Sequence, residues 1–169
     1  MSFLVSQISD GGVHSHITHL FALLETAKQV GVPHTYVHFF GDGRDTAPTS
    51  ATQYLRQLLE FVQKENYGEL ATIVGRYYAM DRDRRWERVK VAVEGLVNGE
   101  GEDGKGHEGA VGVVEENYKR KITDEFLRPI IVNGSEGRVQ GTLDNPCVER
   151  PSHYLCDRGG YPVLLQLSL

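Results

Sequence analysis

Cysteine and long apolar runs are what this sequence has least of. Its 169 residues include two cysteines, Cys147 and Cys156, both near the C-terminus. Two thiols in these positions cannot build a disulfide framework or a four-ligand zinc site for the whole chain, and they indicate a reducing compartment. No segment approaches the roughly 20 apolar residues of a membrane span, and the first ten residues have no basic start. We therefore expect a cytoplasmic protein with no membrane partner.

Positive charge is also scarce. The 18 lysines and arginines are outnumbered by 23 acidic residues, which gives a net charge of -5 and argues against a nucleic-acid partner. The most basic stretch, residues 82–90, contains a tryptophan and resembles a nucleic-acid stripe, but acidic residues alternate through it. This alternation favours a solvated helix face with local ion pairs. With 40% hydrophobic and 24% charged residues, the composition is that of a folded globular domain.

The hydrophobic pattern repeats the same order three times: a strand-like run, a loop and a helical stripe. Short apolar runs with the composition of strands cover residues 3–8, 34–40 and 70–74, and each is followed by a glycine-containing loop. A helical stripe of apolar residues follows each loop, at residues 16–30, 49–67 and 86–96. The pattern predicts a three-layer α/β/α domain with a largely parallel, possibly mixed, sheet. Because strand-helix-strand crossovers are right-handed, the three loops should meet at one edge, where ligands of such sheets bind.

The pattern weakens after Asn98. Residues 99–109 form a glycine-rich, acidic segment that predicts a mobile loop without a site. A helix is predicted over residues 111–121, a short helical start at 123–126 and a strand at 130–132. The apolar residues of segment 141–169 show neither the periodicity of a helix nor that of a strand. We therefore expect a domain over residues 1–140 and a poorly ordered tail over residues 141–169.

The three loops carry the residues that we expect to form a site, namely His14, Arg44, Asp45, Arg76 and Arg82. A small phosphorylated acid carries about -1.5 to -2 on its phosphate and about -1 on its carboxylate, so two or three guanidinium groups would neutralise it. The planar fork of arginine makes paired hydrogen bonds to either group. Asp45 is placed to accept the proton of a hydroxyl that attacks phosphorus, and His14 to donate to a phosphate oxygen.

Two simpler interpretations compete with this anion site. An Arg-Asp pair in a glycine-rich turn is often only a surface ion pair, which contributes about 0–1 kcal/mol. Asp10, His14 and His16 lie within one short segment and suggest the metal site of a hydrolase. Their spacing matches no recognised ligand motif, so packing or hydrogen bonds at a helix start are favoured for the histidines.

Three segments carry a family resemblance. They read Ser-Asp-Gly-Gly-Val-His-Ser-His at 9–16, Phe-Phe-Gly-Asp-Gly-Arg-Asp-Thr at 39–46, and Val-Gly-Arg-Tyr-Tyr-Ala-Met-Asp-Arg-Asp at 74–83, followed by Arg-Trp-Glu-Arg at 85–88. Together they closely resemble the cofactor-independent phosphoglycerate mutases, and the likeness extends from about residue 9 to about residue 140. No single motif is specific, but three in the right order and spacing are.

The resemblance implies a glycolytic isomerase that interconverts 3-phosphoglycerate and 2-phosphoglycerate without bisphosphoglycerate. In that family, a serine in an alkaline-phosphatase-like domain with two manganese ions takes the phosphoryl group and returns it, while an inserted phosphotransferase domain holds the glycerate. This sequence is similar to the inserted domain alone. The likeness implies that Asp45 is the proton-transfer group and that the substrate ligands are His14, Arg44, Asp45, Arg76 and Arg82.

The sequence also departs from the family. No segment resembles the serine nucleophile or the metal-ligand clusters, so we expect this chain to bind no manganese and to be inactive without its partner, the phosphatase-like domain. The family continues beyond the region of Gln140 with a Phe-Asn-Tyr/Phe-Arg motif, which residues 141–169 lack. An alternative function is a non-catalytic anion-binding or interaction domain that shares the fold.

Overall fold

Three strands form the centre of a single sheet: β1 (Ser2–Gln7), β2 (Thr35–Gly41) and β3 (Glu69–Gly75). The computed structural model describes residues 1–139 and 164–166. Three short strands extend the sheet, β4 (Glu102–Asp103), β5 (Ile130–Ile131) and β6 (Leu164–Gln166), in the order β4-β5-β3-β2-β1-β6. β5 runs antiparallel to β3, and the other four pairings are parallel.

Helices cover both faces of this sheet, as the alternating pattern predicts. They are α1 (Ile17–Gln29), α2 (Ala51–Glu65), α3 (Arg76–Ala79), α4 (Trp86–Val93) and α5 (Gly106–Lys119), with a π-helical turn at Glu94–Asn98 and a 3-10 turn at Asp124–Phe126. The main core joins one face of the sheet to α1, α2 and α5. On the other face, Ala92 and Leu96 pack against a smaller cluster around Phe40. The predicted α/β/α architecture is therefore confirmed.

The glycine-rich segment is not the loop that its composition predicts. Residues 102 and 103 form β4, and α5 begins at Gly106, five residues before the predicted helix start. A Cβ added at Gly101 would overlap the carbonyl group of Pro129, and one added at Gly104 would lie 2.5 Å from Ile130 Cγ2. These glycines therefore allow β4 to approach the chain around β5, a role that composition alone does not distinguish from mobility.

The C-terminal segment is described only at β6, where Leu164 lies opposite Phe3 of β1. This short strand falls within the residues for which the sequence predicts a poorly ordered tail. The remainder of that prediction concerns residues outside those described, and the division of the chain at residue 140 stays a prediction. Among the described helices, none combines the length and the apolar composition needed to cross a bilayer.

Candidate functional site

The carboxyl ends of β1, β2 and β3 bring three segments to one edge of the sheet. β1 leads into the segment that carries His14, β2 into the loop that carries Asp45, and β3 directly into α3, whose first residue is Arg76. Because the three strands are parallel and adjacent, these segments must emerge side by side. The structure brings the side chains of His14, Asp45 and Arg76 into contact.

Arg76 is the centre of this cluster, and its side chain is only 10% exposed. Its Nη1 donates to Asp42 Oδ1 at 2.9 Å and to Asp45 Oδ2 at 2.5 Å. Its Nη2 lies 3.1 Å from His14 Nε2. Since a guanidinium group has only donors, His14 Nε2 is the acceptor in this contact, which leaves Nδ1 to carry the imidazole proton. Asp45 Oδ2 also lies 3.9 Å from His14 Nε2, so the four side chains form one group.

Asp42 also belongs to the cluster, although the sequence pattern does not predict it as a site residue. Its Oδ2 accepts from the Ser9 hydroxyl at 2.7 Å, and its Oδ1 accepts from the backbone N–H groups of Arg44 at 3.2 Å and Asp45 at 3.0 Å. Hydrogen bonds of this kind make the loop turn back on the aspartate that begins it. The available signal is an aspartate between two glycines, which is typical of such turns. Asp42 therefore orients Asp45 and Arg76 at the same time.

Burial and hydrogen bonding oppose each other at Asp42. Burial alone would raise the pKa of its carboxyl group, but the bonds from the Asp45 N–H, the Ser9 hydroxyl and Arg76 outweigh it and lower the pKa below its usual value. At Arg76, burial acts to lower the pKa of the guanidinium group, and the two carboxylates reverse this and raise it. The pair is therefore fully charged at neutral pH.

Two of the residues predicted for the site lie outside this cluster. The Arg44 side chain is 69% exposed and has Glu125 as an ion-pair partner at 3.9 Å. Arg82 is exposed between α3 and α4, and among residues 1–139 no hydrogen bond or ion pair joins it to the cluster. The segment that carries it is anchored by the buried carboxylate of Asp81, which accepts from the N–H groups of Asp83 and Arg85. Both guanidinium groups are thus accessible to an external anion.

The site combines a fixed cation with an available carboxylate oxygen. Within the described part of the chain, Asp45 Oδ1 has no hydrogen-bond partner, while Oδ2 is held by Arg76. A carboxylate held in this way can accept a proton from a hydroxyl placed beside Oδ1. The exposed arginines can bind anionic groups through charge-assisted hydrogen bonds.

The residues considered for a metal site do not converge. In the described residues, no group of three or more histidine, cysteine or acidic side chains is arranged to hold a metal ion. Asp10 Oδ1 accepts from the Tyr54 hydroxyl at 2.5 Å, and His16 Nδ1 accepts from the Thr18 N–H at the start of α1. His14 Nε2 faces the Arg76 guanidinium, a cation that a metal ion would have to displace. The helix-start interpretation is the correct one for His16.

A protein family and several known proteins match most of the chain. The family model described as "BPG-independent PGAM N-terminus" matches residues 2–148. The 2,3-bisphosphoglycerate-independent phosphoglycerate mutase of Caenorhabditis elegans is 56% identical over 138 residues, which cover 81% of this chain and 25% of that protein. The enzyme of the same name from Listeria monocytogenes serotype 4b (strain F2365) is 48% identical over 145 residues, which cover 86% of this chain and 28% of that protein.

A solved structure agrees with these matches. Leishmania mexicana phosphoglycerate mutase, crystallised at low cobalt concentration, superposes with a TM-score of 0.72 at 25% sequence identity. The superposition covers 97% of this chain and 34% of that protein. The chain spans about a quarter of the length of the curated relatives that it matches. From the match over residues 2–148 and the identity to these mutases, the chain belongs to the family of BPG-independent phosphoglycerate mutases.

Proposed function

We propose that this chain is the substrate-binding, phosphotransferase part of a phosphoglycerate mutase that interconverts 3-phosphoglycerate and 2-phosphoglycerate. The observation that carries the proposal is the cluster in which Arg76 holds Asp45 beside His14 at the carboxyl edge of the sheet. Membership of the mutase family supports the reaction. The anionic character of both phosphoglycerates suits the exposed guanidinium groups of Arg44 and Arg82, which this proposal assigns to ligand binding.

Each group has a distinct role in this proposal. The exposed guanidinium groups of Arg44 and Arg82 bind the phosphate and carboxylate of the ligand, and the Nδ1–H of His14 donates to one of its oxygens. Asp45 Oδ1 accepts the proton of a glycerate hydroxyl as that oxygen forms its bond to phosphorus, while the bond between phosphorus and the serine oxygen of the phosphatase-like domain breaks and that oxygen leaves with the electron pair. Arg76 keeps Asp45 in place through the other carboxylate oxygen. Asp45 is therefore the catalytic residue that this chain contributes.

The charges of the site explain why the chain alone should bind weakly. Arg44, Arg76 and Arg82 supply three positive charges, and Asp42, Asp45 and Glu125 balance all three. A phosphoglycerate carries about -2.5 to -3 at neutral pH, so these six side chains, whose charges cancel, leave most of this charge uncompensated. In this proposal, further cations come from the rest of the longer protein. The chain alone should therefore bind phosphoglycerate with millimolar affinity and transfer no phosphoryl group.

The metal ions and the phosphoryl-accepting serine belong, in this proposal, to the phosphatase-like domain of the longer protein. The described residues hold no suitable ligand group, and the cation beside His14 opposes a metal ion at that position. No step assigned to this chain passes through a metal. A reducing, cytoplasmic location agrees with the small number of cysteines.

The experiment substitutes the position of Asp45 in a full-length relative and measures mutase turnover. Asp45→Asn removes the proton acceptor and should lower kcat by about 10²-fold or more, the usual contribution of a positioned acid-base group. The control is Arg56→Gln, because Arg56 lies on α2, is exposed and pairs with Glu115 at 2.6 Å. It should leave turnover within about twofold. Unchanged turnover in Asp45→Asn would instead favour a non-catalytic, anion-binding role.

A further inference from the structure

The carboxylate of Asp124 is buried, with only 1% of the residue exposed, and within the described residues its hydrogen bonds go to Ser50, Ala51 and Tyr118 rather than to the cluster. It lies in the 3-10 turn that precedes β5. Its Oδ2 accepts from the N–H groups of Ser50 and Ala51, each at 2.8 Å, and its Oδ1 accepts from the Tyr118 hydroxyl. A carboxylate with this many donors is held in one orientation.

These hydrogen bonds cap α2 from a distant part of the chain. The side chain of Ser50, which precedes the helix, does not cap it and donates to the Ala47 carbonyl instead. The first N–H groups of a helix have no partners within the helix, and a negative charge beside them is favourable. Asp124 supplies that acceptor and charge across 73 residues of sequence. It therefore fixes the point at which the loop after β2 becomes α2.

The same turn lies directly against the ends of β2 and β3. A Cβ added at Gly41 would approach the Asp124 carbonyl oxygen to 2.7 Å, and one added at Gly43 would approach Asp124 Cβ to 2.9 Å. One added at Gly75 would overlap the Glu125 carbonyl group. Only glycine allows such close packing of backbone on backbone. Gly43, two residues before Asp45, and Gly75, directly before Arg76, thus pack against the turn that contains Asp124.

Further backbone hydrogen bonds join the turn to both loops. The Asp124 N–H donates to the Pro48 carbonyl at 2.9 Å, and the Gly75 N–H donates to the Leu127 carbonyl at 2.8 Å. The loop after β2 is therefore held at Gly43, at Pro48 and at the start of α2. A shift of the turn would displace Asp45 on one side and Arg76 on the other.

We propose that Asp124 is a positioning residue that sets the separation of Asp45 and Arg76 by fixing the loop after β2 and the start of α2 on one turn. This inference rests on the proposed function for its consequence in binding, because a displaced Asp45 or Arg76 no longer fits the ligand. Asp124 acts through the loop after β2 and the start of α2, because its carboxylate binds Ser50, Ala51 and Tyr118. Its partner Tyr118, on α5, orients the carboxylate from the far side.

The test compares four variants of the full chain. Asp124→Ala removes the cap, Asp124→Asn keeps its shape with one acceptor, and Tyr118→Phe removes only the third donor. Val62→Ala is the control, since it removes buried side-chain atoms near the opposite end of α2 and lowers stability without touching the turn. Two readouts are measured on the fully folded protein: the NMR resonances of the Asp45 amide and the Arg76 guanidinium, and the Kd for 3-phosphoglycerate.

We expect Asp124→Ala to weaken binding about tenfold, because a displacement of about 1 Å misaligns charged hydrogen bonds. Asp124→Asn should give a smaller loss, and Val62→Ala should leave Kd within about twofold. The resonances of Asp45 and Arg76 should shift in the Asp124 variants and stay unchanged in Val62→Ala. A purely structural role would lower stability in all of these variants and change neither readout.

The two hypotheses fail in different ways. If the wild-type chain does not bind 3-phosphoglycerate, the binding proposal is wrong. The role of Asp124 is then decided by the resonances of the Asp45 amide and the Arg76 guanidinium alone. If they do not move in Asp124→Ala or Asp124→Asn, Asp124 does not position the cluster. Should Asp124→Ala fail to fold, Asp124→Asn and Tyr118→Phe decide by the same criterion. Wild-type affinity in Asp124→Asn together with unshifted resonances would overturn the positioning role.

Discussion

Replacing Asp42 with asparagine removes one negative charge from the site while keeping the shape of the side chain. The carboxylate accepts one hydrogen bond from each of Ser9, Arg44, Asp45 and Arg76. An asparagine oxygen can still accept at the Oδ1 position, but its NH₂ group would face the Ser9 hydroxyl. The loss is therefore dominated by the charged bond to Arg76.

The expected cost follows from these contacts. Breaking a buried ion pair outright costs about 3–5 kcal/mol, but Arg76 keeps Asp45 as a second partner. Charge-assisted hydrogen bonds contribute about 1.5–3 kcal/mol each, so we expect Asp42→Asn to lower the free energy of unfolding by about 2–3 kcal/mol at pH 7. Because the pKa of Asp42 is lowered in the folded state, its stabilisation is present above about pH 4 and is lost as the pH falls through the lower folded value.

The assay is urea denaturation of the wild type and the variant across a range of pH. The difference between them should be constant between about pH 5 and pH 7 and should shrink as the pH falls below about 4. Asp103→Asn is the control, because Asp103 is 63% exposed and its ion pair with Lys105 should contribute at most about 0.5 kcal/mol. If Asp42→Asn unfolds at the wild-type urea concentration at pH 7, Asp42 does not organise the cluster.

The remaining predictions concern parts of the fold that carry the site. Burial lowers the pKa of His38 to about 4, so the unfolded chain takes up its proton first as the pH falls from about 6.5. Protonation of His38 in the unfolded chain should lower the free energy of unfolding by about 3 kcal/mol by pH 4. Urea denaturation should show this decrease in the wild type and in the control His34→Gln, whose histidine is exposed. The decrease should be absent in His38→Gln. In the same assay, Gly75→Ala should destabilise by about 3 kcal/mol or more, because its Cβ meets the Glu125 backbone. Gly112→Ala, in open space within α5, should instead stabilise by about 0.5–1 kcal/mol. Equal stability of Gly75→Ala and Gly112→Ala would contradict the close packing at β3.

The architecture was predictable because its central units are local in sequence. Each of β1, β2 and β3 is a short apolar run, and α2 presents a clear stripe that includes Leu55 and Leu58 to the core. The segment around Gly101 and Gly104 was not predictable in the same way. Its structure depends on contact with Pro129 and Ile130, which lie more than twenty residues away in sequence. Composition cannot distinguish a glycine that permits close packing from one that permits motion.

The candidate site was predictable in part. The rule that parallel strands present their loops at one edge predicts that His14, Asp45 and Arg76 lie near each other, and the structure places them in contact. The roles of these residues stay predictions. Asp42 and Asp124 were not predictable, because their partners are distant: Asp42 binds Ser9 and Arg76, 33 and 34 residues away. Their contacts become visible only in the three-dimensional structure.

Titration of the chain with 3-phosphoglycerate, followed by NMR, shows whether His14, Asp45 and Arg76 form one ligand site. We expect the resonances of these three residues to shift together at millimolar ligand. We also expect Arg76→Gln to weaken binding about tenfold or more, whereas Arg56→Gln, which removes an equal charge from the exposed surface of α2, should leave binding unchanged. Equal affinity in the two variants, or no shift at the three residues at millimolar ligand, would show that the cluster is not the phosphoglycerate site.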